Sequence, residues 1–142
     1  MSKTSALLQS LERRFGKIDH DIPVTSQTLQ QMADRGSCRE FNDETVDPKV
    51  IQTLCAVALA SPTKSDLQQR DIVMVSDAVV RREVNQLLGQ NNWEASAPVL
   101  LVFCGNNRRQ RQISQWNDIP FNNDHLDAFF NASVDALSLI HI

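Results

Sequence analysis

The chain has 142 residues, 42% of them apolar and 22% charged, with a formal net charge of −3. That is the size and make-up of one globular domain, not of a disordered chain. The acidic balance argues against general attraction to nucleic acid or an anionic membrane, and no apolar run approaches the ~20 residues that a bilayer-spanning helix requires.

Ser5 to Phe15 carries Ala6, Leu7, Leu8, Leu11 and Phe15 at helical spacing, with Glu12, Arg13 and Arg14 opposite. Charge interrupts these apolar positions, unlike a secretory leader, so the expected address is the cytoplasm. Gly16 is the expected stop. Residues 17 to 25, with Pro23, read as a connector, and Thr25 to Asp34 as a second helix with Leu29 and Met32 on one side. RGSCREF, residues 35 to 41, begins where that helix ends. Asp47-Pro48 is a helix start, an acceptor followed by proline in the first turn. The helix VIQTLCAVALA that follows is apolar on most faces and is expected to be buried. SPTKSDLQQ is a polar loop; IVMVS, residues 72 to 76, is a short β-branched strand. Asp77 should cap a helix through Val79, Val80, Val84, Leu87 and Leu88, closed by Gly89-Gln90. APVLLVFC, Ala97 to Cys104, has the length and apolarity of a buried central strand. NNRRQRQISQW is expected to be a surface helix with Ile113 and Trp116 inward, and a last helix to begin near Asp124 and run through Leu126, Phe129, Phe130 and Val134. The fold class is therefore α/β (α+β) and helix-rich. Only two strands are evident, and an isolated pair is marginally stable at best.

Cys38, Cys55 and Cys104 form no C-x-x-C pair, and His20, His125 and His141 do not cluster with them, so no metal site is expected. Cys55 and Cys104, inside apolar runs, are expected to be reduced core thiols.

Two polar segments carry candidate chemistry. In RGSCREF, Arg35 and Arg39 bracket Ser37, and Gly36 permits a sharp turn between them. Two guanidinium forks and a hydroxyl suit a phosphate monoester, which presents nearly two charges and several acceptor oxygens. A solvated turn accounts for the same residues. In SPTKSDLQQ, Thr63, Lys64, Ser65 and Gln68 offer donors and an amide able to meet the edge of a flat heteroaromatic ring. An ordinary loop after a helix accounts for these too. Arg108, Arg109 and Arg111 read as a solvated helix face and not a nucleic-acid surface, since no aromatic platform accompanies them.

The order of the pieces goes further. R-x-S-x-R-x-F, V-D-P with an apolar helix, A-S-P-T-K-S-D-L-Q-Q, a strand ending V-S-D, a helix ending L-L-G-Q, and A-P-V-L-L-V-F-C-G follow one another. This succession resembles the nitroreductase family of FMN-dependent NAD(P)H oxidoreductases, over about residues 30 to 136. Residues 1–24, an N-terminal helical extension, lie outside the resemblance, which implies at 25–136 the N-terminal part of an FMN domain whose sheet is flanked by helices and cut short before its C-terminal strands. It implies that Arg35, Ser37 and Arg39 hold the FMN phosphate and ribityl chain. It places Pro62, Thr63, Lys64 and Ser65 against the isoalloxazine across a homodimer interface, with flavin contacts from Gln68 and Gln90. Asp66 stands where many members have asparagine, and Gln68-Gln69-Arg70 where many have Q-P-W. The family's C-terminal basic and glycine-rich flavin contacts have no counterpart in the chain.

The implied activity is ping-pong: NAD(P)H reduces FMN and leaves, and a nitroaromatic, quinone or flavin acceptor enters the same slot. The cofactor carries that chemistry, so no catalytic side chain is named. Capping and surface exposure account for Asp124 and Asp127, which with His125 and Asp135 would otherwise suggest acid–base work. The competing reading is a non-redox domain in which Arg35 and Arg39 grip another anion. Finally, the chain ends LSLIHI, which is also what CTGTCTCTTATACACATC encodes, the transposon end used as an adapter in common sequencing libraries. The expectation is that Leu137 to Ile142 derive from that adapter and carry no evolved function, that His141 is no ligand, and that the chain as given lacks sheet partners for APVLLVFC and is inactive. Sequencing the source DNA beyond the Ala136 codon tests this; a genuine stop codon after Ile142 refutes it.

Overall fold

The computed structural model describes residues 6–89 and 92–141. It divides into two compact units, the first ending at Arg39 and the second beginning at Glu40. None of its helices is long and apolar enough to cross a membrane.

The first unit is a helix pair, α1 (Ala6–Phe15) and α2 (Gln27–Asp34). Gly16 ends α1 as expected: its φ of +81° is costly for a residue with a Cβ, and its N–H closes on Glu12 O at 2.9 Å. Helix α2 starts slightly later than Thr25 because Ser26 caps it, its hydroxyl accepting from Leu29 N at 3.2 Å. A polar cluster joins the helices. Asp34 accepts from the Ser10 hydroxyl at 2.5 Å, from Gln30 Nε2 at 2.6 Å and from Arg13 Nη2 at 3.0 Å. These bonds hold the Asp34 carboxyl below its ordinary range, the Ser10 and Gln30 side chains foremost.

The second unit contains α3 (Pro48–Leu59), β1 (Arg70–Met74), α4 (Ala78–Leu87), α5 (Asn92–Ser96), β2 (Leu101–Gly105), α6 (Arg108–Trp116) and α7 (Leu126–Ser138). The caps of α3 and α4 are those expected: Asp47 accepts from Lys49 N at 2.8 Å, and Asp77 from Val79 N and Val80 N at 2.8 and 2.9 Å. Strands β1 and β2 pair antiparallel, Arg70 opposite Gly105 through Met74 opposite Leu101. The short helix α5 went unread in the sequence. Arg81 of α4 ties it down, donating to Glu94 O and Ala97 O at 2.7 and 2.8 Å.

Several burial expectations are corrected. APVLLVFC is not a central strand: β2 pairs with β1 alone among the described residues, and its side chains are half-buried or exposed. Cys55 and Cys104 are half-buried, not core. In α3 only Ile51 and Ala58 are buried, while Val50, Leu54 and Val57 are exposed. Ile113 and Trp116 of α6 also face out, Trp116 being 74% exposed. In α7, whose inner face the sequence left open, small residues are the buried ones. Its buried face is Ala128, Ala132, Asp135 and Ala136, at i, i+4, i+7 and i+8, whereas Phe129 is 64% exposed and Leu126, Phe130, Val134 and Leu137 are exposed with it. The cause is steric. A Cβ placed on Gly105 of β2 would lie 2.9 Å from Ala132 O, so strand and helix backbones approach too closely for anything larger than alanine between them. After α7 a 3-10 turn, Leu139–His141, buries Leu139.

Candidate functional site

The arginine segment lies at the end of the first unit. Arg35 leaves α2 for an extended backbone (φ −59°, ψ 135°) after its N–H closes on Gln31 O. Arg35, Ser37 and Arg39 are all solvent-exposed. The freedom that Gly36 offers is not used: its φ is not positive, and a Cβ there would meet nothing within 4 Å. Phe41 belongs to the second unit and stacks on Trp93, with ring centroids 6.4 Å apart.

The other candidate residues lie between α3 and β1, in the second unit. Pro62, Lys64 and Ser65 are exposed, and Thr63 and Gln68 half-buried. Lys64–Asp66 form one 3-10 turn, in which Ser65 and Asp66 have φ of +52° and +53°; Gln68 follows at +52°. Three non-glycine residues in four thus occupy the left-handed region, at a cost of roughly 1–3 kcal/mol each. Such a conformation persists only where its surroundings over-determine it, and here they do.

Part of the restraint is local: the Thr63 hydroxyl accepts from Gln68 N at 3.2 Å, and Gln68 Nε2 donates to Asp66 Oδ1 at 2.6 Å. More of it comes from below. Asp135, on the buried face of α7 and only 2% exposed, accepts from Lys64 N at 3.3 Å through one oxygen and from Gln69 N at 3.1 Å through the other. Gln69, also buried, donates through its side-chain amide to Asn107 Oδ1 at 2.5 Å, and Asn107 in turn donates to Ala128 O at 3.0 Å. A third restraint comes from α6, where Arg109 Nη1 donates to Gln68 O at 3.0 Å and Gln110 donates to Leu67 O.

Beside the loop sits a buried cation. Arg70, 2% exposed, directs Nη1 to the hydroxyls of Ser61 (2.6 Å) and Ser138 (2.7 Å), and Nη2 to the carbonyls of Leu59 (2.8 Å) and Ser61 (2.5 Å). It faces the C-terminal end of α3, whose carbonyls carry partial negative charge and favour a cation. In the sequence, Asp135 stood out only as a conceivable acid–base group, and Gln69 and Arg70 only as departures from the family pattern. The available signal was small: Asp135 shares one helical face with Ala128, Ala132 and Ala136, which marks an acid on a close-packed face.

Between α6 and the loop lies an open groove of about 450 Å³, walled by Leu67, Ile113 and Phe121 and edged by Gln68, Arg109 and Asn117. Elsewhere on α6, Arg111 Nε and Nη2 donate to the two oxygens of Asp124 at 2.8 and 2.6 Å. These bonds hold the Asp124 carboxyl below its usual range and raise Arg111. Asp124 is therefore a latch and not the cap of α7. The cap is His125, whose Nδ1 accepts from Asp127 N at 3.2 Å. Gln90 lies outside the described residues. Among the described residues, no group of three or more His, Cys, Asp or Glu could hold a metal ion.

The arginine segment and the strained loop thus belong to different units. The first offers exposed guanidinium groups and the second a rigid backbone with outward Lys64 and Ser65. Within that loop the Gln68 side chain donates to Asp66.

The sequence matches the Nitroreductase family over residues 32–134. It is similar to an FMN reductase (NAD(P)H) of Bacillus subtilis, 24% identical over 113 residues, covering 78% of this chain and 45% of the relative. It is also similar to an oxygen-insensitive NADPH nitroreductase of Salmonella typhimurium, 30% identical over 88 residues, covering 62% of this chain and 37% of the relative. Among solved structures, NfrA1 nitroreductase from B. subtilis superposes with a TM-score of 0.75 at 25% identity, over 81% of this chain and 47% of that one. NfrA2 of B. megaterium superposes with a TM-score of 0.77 at 24% identity, over 82% and 48%. The chain spans less than half the length of these relatives.

Proposed function

The chain belongs to the nitroreductase family, and from that premise we propose that its parent protein is an FMN-dependent NAD(P)H oxidoreductase that passes a hydride, by ping-pong exchange, to a nitroaromatic, quinone or flavin acceptor. The observation that carries the reading is the loop between α3 and β1: three left-handed non-glycine residues held against α7 and α6, with Lys64 and Ser65 turned outward. A loop made rigid at that cost is suited to present donors to a flat ring. The names of the relatives, FMN reductases and an NADPH nitroreductase, supply the ring and the co-substrate.

When bound, FMN supplies the hydride chemistry, accepting two electrons from a nicotinamide and releasing them to the acceptor. The residues of this chain bind and orient. Arg35 and Arg39 hold the phosphate with charge-assisted bonds, Ser37 adds a neutral donor, and Pro62 to Ser65 with Gln68 line the ring. The Lys64 ammonium adds positive charge at that edge. The exposed apolar residues of α3 and α7, among them Leu54, Val57, Phe129 and Phe130, form the surface on which a second copy packs in a homodimer.

The test is a titration of flavin-free, full-length protein with FMN. Removing one charged partner from a largely desolvated phosphate costs on the order of 2–5 kcal/mol, so Arg39→Ala should weaken binding ~30-fold to several thousandfold. Unchanged affinity removes Arg39 from the site. A colourless wild-type protein that ignores FMN but binds inorganic phosphate favours the anion-binding alternative.

A further inference from the structure

A helix that packs against β2 through Ala128, Ala132 and Ala136 has no packing use for a carboxylate at the next inward position, yet Asp135 is there. Burying a carboxylate is costly unless its oxygens are satisfied. Asp135 directs both to backbone amides of the loop, Lys64 N at 3.3 Å and Gln69 N at 3.1 Å. Those two amides bracket every left-handed residue of the loop, Ser65, Asp66 and Gln68. Glycine would relieve the strain at each of the three, but the loop keeps side chains there and relies on an external clamp instead.

We propose that Asp135 is a positioning residue: it holds residues 64 to 69 in the strained conformation whose outward side chains meet the flavin ring, and so sets flavin affinity without touching the flavin. The proposal rests on the functional reading above. Its logic is that of a pre-paid conformation. If removing the clamp leaves the strained loop populated only a few per cent of the time, apparent affinity falls to that fraction of its wild-type value. Asp135→Asn keeps the shape of the side chain but exchanges one accepting oxygen for an amide that donates, facing an N–H that also donates. Asp135→Ala removes both acceptors and continues the alanine face that α7 already presents to β2.

The experiment compares full-length wild type, Asp135→Asn and Asp135→Ala in two measurements. In the flavin-free protein, amide hydrogen exchange at Lys64 and Gln69 should quicken at least about tenfold in both variants, while amides within β1 and β2 keep their protection. In FMN titrations followed by flavin fluorescence, affinity should fall about 10- to 100-fold, more for alanine than for asparagine. Unchanged exchange at Lys64 and Gln69 overturns the clamp. Faster exchange with wild-type FMN affinity overturns the positioning role and leaves Asp135 a purely structural residue. Loss of protection throughout β1 and β2 in both variants also overturns the proposal, since Asp135 then supports the whole unit. Wild-type protein that takes up no FMN overturns the functional reading itself, a result visible before any variant is made.

Discussion

Replacing the buried guanidinium of Arg70 tests the polar framework beneath the loop. Arg70→Met keeps an unbranched chain of similar reach and removes three hydrogen bonds, to Ser61 Oγ, Leu59 O and Ser61 O; the fourth, to Ser138 Oγ, lies in the tail expected to be adapter-derived and is left out of the reckoning. The acceptors do not suffer equally. The Ser61 hydroxyl can rotate toward another neighbour, as its 3.5 Å approach to a hydroxyl at position 138 in this structure illustrates. The carbonyls of Leu59 and Ser61 lose the charged donor that caps the end of α3. A buried acceptor left unsatisfied costs about 1–3 kcal/mol, which makes about 2–6 kcal/mol for the two. Methionine recovers part of this, because the desolvation penalty of the guanidinium disappears, so the net loss is about 2–4 kcal/mol. With a urea m-value of about 2 kcal/mol/M, the unfolding midpoint of the full-length protein should fall by about 1–2 M. Arg70→Lys should fall between the two, since an ammonium lacks the planar fork that reaches hydroxyl and carbonyl together. A midpoint for Arg70→Met within about 0.3 M of wild type refutes the assignment of these bonds as a framework.

Gly105→Ala puts a Cβ 2.9 Å from Ala132 O and 3.1 Å from Ala132 Cβ, so β2 and α7 must separate by a few tenths of an ångström; overpacking of this kind costs about 1–3 kcal/mol, read as a lower thermal midpoint. The Asp124 latch has a definite pH direction. Its carboxyl is held below the ordinary value of 3.8, so its contribution is complete above that value and is lost as pH falls through the lower folded-state pKa. Carbon-detected NMR titration of Asp124 should show a midpoint below 3.8 that returns toward it in Arg111→Gln; a midpoint at or above 3.8 in the wild type contradicts the latch. For the homodimer, Phe129→Asp places a charge on the exposed apolar face of α7 and should shift the full-length protein toward half its mass by light scattering. A variant that stays dimeric moves the interface elsewhere.

Local chemistry determined where elements begin and end. Asp47 before Pro48, Asp77 before the valine-rich helix and Gly16 after Phe15 act within a few residues of themselves, so their effects are readable without knowing the neighbours. The ordered succession from RGSCREF to APVLLVFCG was likewise sufficient for the family resemblance, because it depends on residue types and separations alone. Which faces are buried was decided by the tertiary structure. Hydropathy marked α7 as apolar through Leu126, Phe129 and Phe130 without saying which side meets the strand; the close approach of Gly105 to Ala132 admits only small residues there, and a hydropathy pattern carries no distance between backbones. The candidate site divides in the same way. Lys64, Ser65 and Gln68 could be named from their donors and acceptors, whereas their left-handed conformation is held by Asp135, 66 residues from Gln69, and by Arg109, 41 residues from Gln68. A restraint made across such separations exists only once α6, α7 and β1 have come together, because none of its donors or acceptors is satisfied in the sequence neighbourhood of its partner.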